Sequence, residues 1–136
     1  MIRTTRKEKS LPVLIKELDD VFSKWIRKRD TVDGKIPCFI CGKKMTFAEA
    51  QNMHYLNRDC MPLRYDERNC HAGCMECNCL DPGHRGKYLM AMIAKYGVAV
   101  VNELVTKSRS LQKFTRPELT EMIEFYKSEN HLKKQS

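Results

Sequence analysis

Leu14, Leu18, Phe22 and the pair Trp25-Ile26 recur every three or four residues, the spacing that lines one face of a helix. A first helix is therefore predicted over 11–29, with Ser10 as N-cap and Pro12 tolerated in the first turn. Lys24, Arg27, Lys28 and Arg29 crowd its last turns, next to the negative end of the helix dipole. Residues 31–35 form a turn, and the pattern over 45–55 suits a short helical turn or a strand equally. Residues 53–58 and 62–71 read as two short strands around a loop containing Asp59, Cys60 and Met61. Leu80-Asp81-Pro82-Gly83 is a turn. Tyr88, Leu89, Met92 and Ile93 then place a helix over 85–96, which Gly97 ends. A short helix over 98–105 and a polar linker over 106–113 follow. Thr115-Arg116-Pro117-Glu118 has capping-box spacing and opens a last helix with Leu119, Met122, Ile123 and Tyr126 on one face. That helix frays into Lys133-Lys134.

Short strands inside a helical frame make this an α+β chain. At 136 residues and 42% apolar, it reads as a compact domain with helical extensions. Its parts are a flexible basic arm (1–9), an N-terminal helix (10–30), a central core with following helices (31–105), and a linker with a C-terminal helix (106–136). The net charge of +8, from 25 basic against 17 acidic residues, favours a polyanionic partner such as nucleic acid. Solubility alone is the blander use of that charge. No apolar run approaches the ~20 residues that span a bilayer, and no apolar stretch follows the basic N-terminus as a signal peptide would require. A cytoplasmic protein without a membrane role is expected, in a compartment where disulfides are rare.

Cysteine changes the picture. Cys38 and Cys41 form one Cys-x-x-Cys hook, and Cys74 and Cys77 form another, with 32 residues between them. One tight turn presents both sulfurs of a hook to the same ion, and two hooks complete a tetrahedral four-thiolate zinc site. Gly42 suits the backbone approach of the first turn. One structural Zn²⁺ per chain is expected, stapling a central segment too short and polar to hold itself together. Cys60, Cys70 and Cys79 remain as small or incidental thiols.

Between and just after the hooks lie His54, Asn69, His71 and Asn78. Phosphodiester hydrolysis needs a base for water, a group that orients the base, and a cation that stabilises the charge developing at phosphorus. His can be the base, an Asn carbonyl can hold its ring, and Asn or carboxylate oxygens can ligate Mg²⁺ or Mn²⁺. Arg58, Arg64, Arg68 and Arg85 flank this segment, and Arg forks suit phosphate oxygens. Ion pairs to Asp59, Asp66 and Glu67 are their alternative use. Lys24, Arg27 and Lys28 are further candidates for phosphate contact.

Several stretches resemble a known family. They are Trp25-Ile26-Arg27-Lys28-Arg29-Asp30, Pro37-Cys38-Phe39-Ile40-Cys41-Gly42, His54-Tyr55, Leu63-Arg64-Tyr65-Asp66, Asn69-Cys70-His71 and Cys74-Met75-Glu76-Cys77-Asn78. Over about residues 14–105 the chain resembles the phage NinG/Rap recombination endonucleases, zinc-hooked members of the HNH or ββα-metal nucleases. The resemblance implies a small zinc-stapled ββα-metal core flanked by helices, and metal-dependent cutting of branched DNA such as Holliday junctions and D-loops. It implies His54 as general base, Asn69 as its positioning residue and Asn78 as a ligand of the catalytic Mg²⁺ or Mn²⁺. Asp81 or His84 would complete that shell, and His71 would face phosphate or cap its strand. One departure stands out: many such nucleases carry a metal-binding Asp just before the catalytic His, and this chain has Met53. Either His54 or Asn52 substitutes, or Asn78, Asp81 and water hold the ion.

Two rival readings compete with this one. A non-catalytic zinc-ribbon DNA-binding or adaptor protein explains hooks and charge but leaves His54, Asn69 and Asn78 as coincidence. A zinc deaminase shares Pro37-Cys38-x-x-Cys41, but it needs a His-x-Glu element upstream, and no His precedes Cys38. Paired cutting at a junction would suit a homodimer.

Overall fold

The computed structural model describes residues 8–132; most of the expected arm and the fraying expected at Lys133-Lys134 lie outside them. The first helix, α1 (Leu11–Arg29), begins at Ser10, whose hydroxyl accepts a bond from the Val13 amide at 3.4 Å. It buries Leu14, Leu18, Phe22, Trp25 and Ile26, the stripe that periodicity marks out. The last helix, α5 (Arg116–Leu132), covers that stripe with Leu119, Ile123 and Tyr126. The Phe22 and Tyr126 rings meet edge to face with centroids 5.0 Å apart. The capping box is formed in both directions: Thr115 N donates to Glu118 Oε1 at 3.0 Å, and Glu118 N to Thr115 Oγ1 at 3.3 Å.

The strands are shorter than expected and displaced. Two two-residue strands, β1 (Ile36–Pro37) and β2 (Lys44–Met45), pair antiparallel on either side of the first cysteine hook. Strands β3 (Gln51–His54) and β4 (Cys70–Gly73) form a second antiparallel pair, with His54 opposite Cys70 and Met53 opposite His71. The expected strands over 53–58 and 62–71 are thereby corrected. Past His54 the chain turns, with Asn57 Oδ1 accepting from the Asp59 amide at 3.2 Å. Pro62 then sits in the first turn of the four-residue helix α2 (Met61–Arg64), where its missing N–H costs nothing. The ambiguity over 45–55 resolves into β2, a turn closed by Thr46 and Glu49, and β3.

After β4 a π-helical segment (Glu76–Leu80) carries the end of the second hook. Helix α3 (His84–Tyr96) and helix α4 (Val98–Ser108) follow, joined at Gly97, whose φ of 87° suits glycine. The strand–strand–helix unit β3–β4–α3 is thus present within an α+β fold. Its core holds Ile36, Met45, Met53, Leu63, Ala72, Tyr88, Met92 and Leu104. Arg29 and Asp30 staple it to α1: Arg29 donates to the carbonyls of Glu67 and Cys70, both at 2.7 Å, and Asp30 accepts from the Ala72 amide at 2.8 Å. No helix of the described residues is long and apolar enough to cross a membrane.

Candidate active-site cleft and thiol cluster

The sulfurs of Cys38, Cys41, Cys74 and Cys77 all lie within 4.8 Å of one another, and Cys41 Sγ and Cys74 Sγ are 3.8 Å apart. A tetrahedral ion with bonds of about 2.3 Å to sulfur needs edges of about 3.8 Å. The four thiols could therefore hold one such ion. Backbone geometry builds the cluster: Gly42, at φ 78°, turns the first hook so that its amide reaches the Cys38 carbonyl at 2.9 Å. Amides also point at the sulfurs, Cys74 N at Cys38 Sγ and Cys77 N at Cys74 Sγ, each at 3.4 Å. Phe39 N donates to the Ala72 carbonyl at 2.9 Å, tying the first hook to β4.

Beside this cluster, two adjoining lobes of a cleft, of about 410 and 310 Å³, share Asn52, His54, Arg58 and Asn78. The first lobe reaches α1 at Asp19, Asp20, Ser23 and Arg27; the second is bounded by Asn57, His84 and Arg85. Strand alternation aims Asn52 and His54 into the cleft and sends Met53, fully buried, into the core.

His54 Nε2 lies 3.0 Å from the Arg64 carbonyl oxygen. A carbonyl only accepts, so this nitrogen carries the proton and Nδ1 keeps its lone pair. Burial foremost, then the Arg64 and Arg58 charges, holds the pKa of His54 below the ordinary imidazole value, against the opposing pull of the Arg64 carbonyl and Asp19. The ring is neutral at neutral pH, as a base must be.

Asn69 does not hold that ring. Fully buried, it accepts from the Leu56 amide at 2.9 Å and donates to the carbonyls of Leu56 and Leu63 at 3.0 and 3.2 Å. It clamps the loop that delivers Arg64. Asn78 donates from Nδ2 to Gln51 Oε1 at 2.8 Å, which leaves its own carbonyl oxygen to the cleft. Asn52 Oδ1 is buried and without a hydrogen-bond partner, a costly state unless a ligand satisfies it.

Other expected residues go elsewhere. Asp81 accepts from Lys87 at 2.6 Å and from the Gly83 amide at 2.8 Å, and its pKa falls below the usual carboxylate value chiefly through Lys87. It lies on the thiol-cluster side with Ile40 and Met90 and does not line the cleft. His84 bonds the Cys77 carbonyl through Nδ1, leaving Nε2 as an acceptor in the second lobe. His71 does not face phosphate. It is wholly buried, with Nδ1 2.8 Å from the Tyr88 hydroxyl and Nε2 2.7 Å from that of Tyr96. Burial, with help from Arg29 and Lys95, drives its pKa down to about 2.

The basic residues divide in the same way. Arg64 grips Asp19, Arg68 is shared by Asp66 and Glu103, Lys28 caps the Asn130 carbonyl at 2.6 Å, and Arg27 donates to the Phe47 carbonyl and lies over the Phe47 ring. These four serve the fold first. Arg58 and Arg85 are exposed on the cleft and form no ion pair among the described residues. Lys24 is exposed but outside the cleft lining. Cys60, Cys70 and Cys79 stand apart from the four-sulfur cluster, each as a free thiol.

A family profile described as "Bacteriophage Lambda NinG protein" matches residues 2–135. The chain belongs to the NinG family. Among similar NinG proteins, "Protein ninG" of Salmonella phage P22 is 35% identical over 91 residues, that of Escherichia phage 933W 34%, and that of Escherichia phage lambda 33%. In each case the match takes in 66% of this chain and 43% of the relative, so the matched part is less than half of those NinG proteins. No solved structure matches the chain.

Proposed function

We propose that this NinG-family chain is a metal-dependent endonuclease that hydrolyses phosphodiester bonds in branched DNA intermediates of recombination, in the cytoplasm of a bacterial host. One observation carries the reading: a neutral His54 with a free Nδ1 shares a cleft with the unpartnered Asn52 oxygen, Asn78 and two unpaired arginines. The family resemblance supplies the substrate class.

Asn52, Asn78 and His84 Nε2 would hold a divalent cation, Mn²⁺ more readily than Mg²⁺, because they offer two neutral oxygens and a softer imidazole nitrogen where the cleft has an unsatisfied acceptor. Bound there, the cation would stabilise charge on the phosphate and the leaving oxygen. His54 Nδ1 takes a proton from water as the water oxygen bonds to phosphorus, and the bond from phosphorus to the leaving oxygen breaks. The Arg64 carbonyl steadies the imidazolium through Nε2–H. Arg58 and Arg85 hold phosphates on either side. The four thiolates would hold one Zn²⁺, which would keep Asn78 in place. Two copies would suit paired cuts at a junction.

The test is incubation of the zinc-loaded protein and its His54→Ala variant with labelled junction, D-loop and linear duplex, with and without Mn²⁺ or Mg²⁺. Cation-dependent cutting of branched DNA by the wild type alone is expected. Equal activity in the variant would remove His54 as base, and binding without cutting under every condition would favour a non-catalytic adaptor.

A further inference from the structure

We propose that Asp19 of α1 is a positioning residue for His54, acting through the Arg64 clamp; this deepens, and rests on, the reading of His54 as the base. Asp19 is 35 residues before His54 and outside the hooks. Its carboxylate receives Arg64 Nε at 2.9 Å and Nη2 at 2.5 Å, a two-pronged fork, and the Tyr65 hydroxyl at 2.8 Å. The third nitrogen, Arg64 Nη1, donates to the Arg58 carbonyl at 3.1 Å. Only 11% of the Arg64 side chain and 24% of that of Asp19 are exposed, so the pair is far drier than an ordinary surface bridge.

The clamp matters because of where Arg64 sits. It is the last residue of α2, four residues long, and so short a helix has no stability of its own. Its terminal carbonyl has no helical partner and is the one that holds His54 Nε2. Asn69 secures the preceding carbonyl, that of Leu63, from the β4 side. Asp19 secures the Arg64 side chain from the α1 side. The imidazole is thus aimed by an acidic residue that never touches it.

Two measurements on zinc-loaded protein decide this. In ¹⁵N-labelled protein without DNA, the His54 Nε2–H proton is expected to be protected from exchange in the wild type. It should be lost to exchange in Asp19→Asn, which replaces one prong of the fork by an amide N–H facing the guanidinium, while the remaining amide spectrum keeps its dispersion. In cleavage, kcat is expected to drop about 10- to 100-fold with KM little changed, the signature of a misaimed base. Should Asp19→Asn fail to fold, Arg64→Lys breaks the same fork and carries the same readouts. A protected Nε2–H in a folded variant, or a kcat equal to wild type, would overturn the proposal. If the wild type cuts no DNA, the nuclease reading fails separately, and the proton measurement still decides whether Asp19 aims His54.

Discussion

Asn52 and Met53 are adjacent in sequence and face opposite sides of β3: the Asn52 oxygen lies unpartnered at the cleft, and the Met53 side chain is fully enclosed. A carboxylate at position 53, where the HNH resemblance leads one to expect it, would here point into the core. Met53→Asp is therefore expected to cost about 3–5 kcal/mol, as for an unpaired buried charge, and to bring no gain in Mn²⁺ affinity. Asn52→Asp should instead raise that affinity. Chemical denaturation and calorimetric titration of each variant with Mn²⁺ check both statements.

A methyl group added at Gly73 would come 2.5 Å from Met53 Sδ and 2.8 Å from its Cε. Met53 is fully buried, so its side chain would have to shift within the core. Gly73→Ala is expected to destabilise by about 1–3 kcal/mol, the range for an overpacked core. In a double-mutant cycle with Met53→Ala, the combined loss should be smaller than the sum of the separate losses, because the shorter side chain vacates the clashing volume.

Acid should attack the fold through His71. Its folded pKa is about 2, far below its value in an unfolded chain, about 6.5. Below that unfolded value the unfolded chain binds the extra proton and the folded one does not, so stability falls as pH drops from 6.5 towards 2. Each pH unit costs up to about 1.4 kcal/mol. His71→Phe should be less stable at pH 7, having lost both tyrosine partners, but its stability should fall less steeply between pH 6 and 4. Urea denaturation midpoints across that range show the slope.

Removing the ion expected at the four thiols should unfold the centre of the protein. Structural zinc contributes roughly 10–16 kcal/mol of apparent folding free energy, as much as the ~5–15 kcal/mol that holds a whole domain together. A strong chelator, or Cys74→Ser, is expected to abolish the cooperative thermal transition. One Zn²⁺ per chain should be released as the protein melts.

Arg58 and Arg85 are expected to contact phosphates, and Arg68, neutralised by Asp66 and Glu103, is not. Binding to branched DNA should weaken steeply with salt. Arg58→Ala and Arg85→Ala should each reduce the slope of log K against log salt by about 1. Arg68→Ala should leave it unchanged. Fluorescence anisotropy over a salt series separates the cases.

The parts legible in sequence are those set by local rules. The 3.6-residue period gives α1, α3 and α5, and Cys-x-x-Cys spacing gives all four sulfurs of the cluster. What sequence hides is set by contacts across the fold. The helix signal in α2 is four residues long, and Pro62 reads as easily as a strand edge. The resemblance pairs Asn69 with His54, an amide being a familiar partner for a ring; the partner is a backbone carbonyl, a group every residue carries. Asp19 lies on a helix whose apolar stripe is plain, yet nothing along the chain ties it to Arg64. Period-two alternation on β3 could have placed Asn52 beside His54, given the register.

Asn78 follows Cys77 directly, in a π-helical segment whose widened turn ends with the Asp81 amide on the Glu76 carbonyl at 2.8 Å. A single peptide link joins the last sulfur to the cleft, with no flexible hinge between them. Whatever fixes the Cys77 sulfur therefore fixes the Asn78 amide as well. On the nuclease reading proposed above, a chain still without its ion would be harmless to the DNA around it, and the supply of zinc would set when cutting could begin.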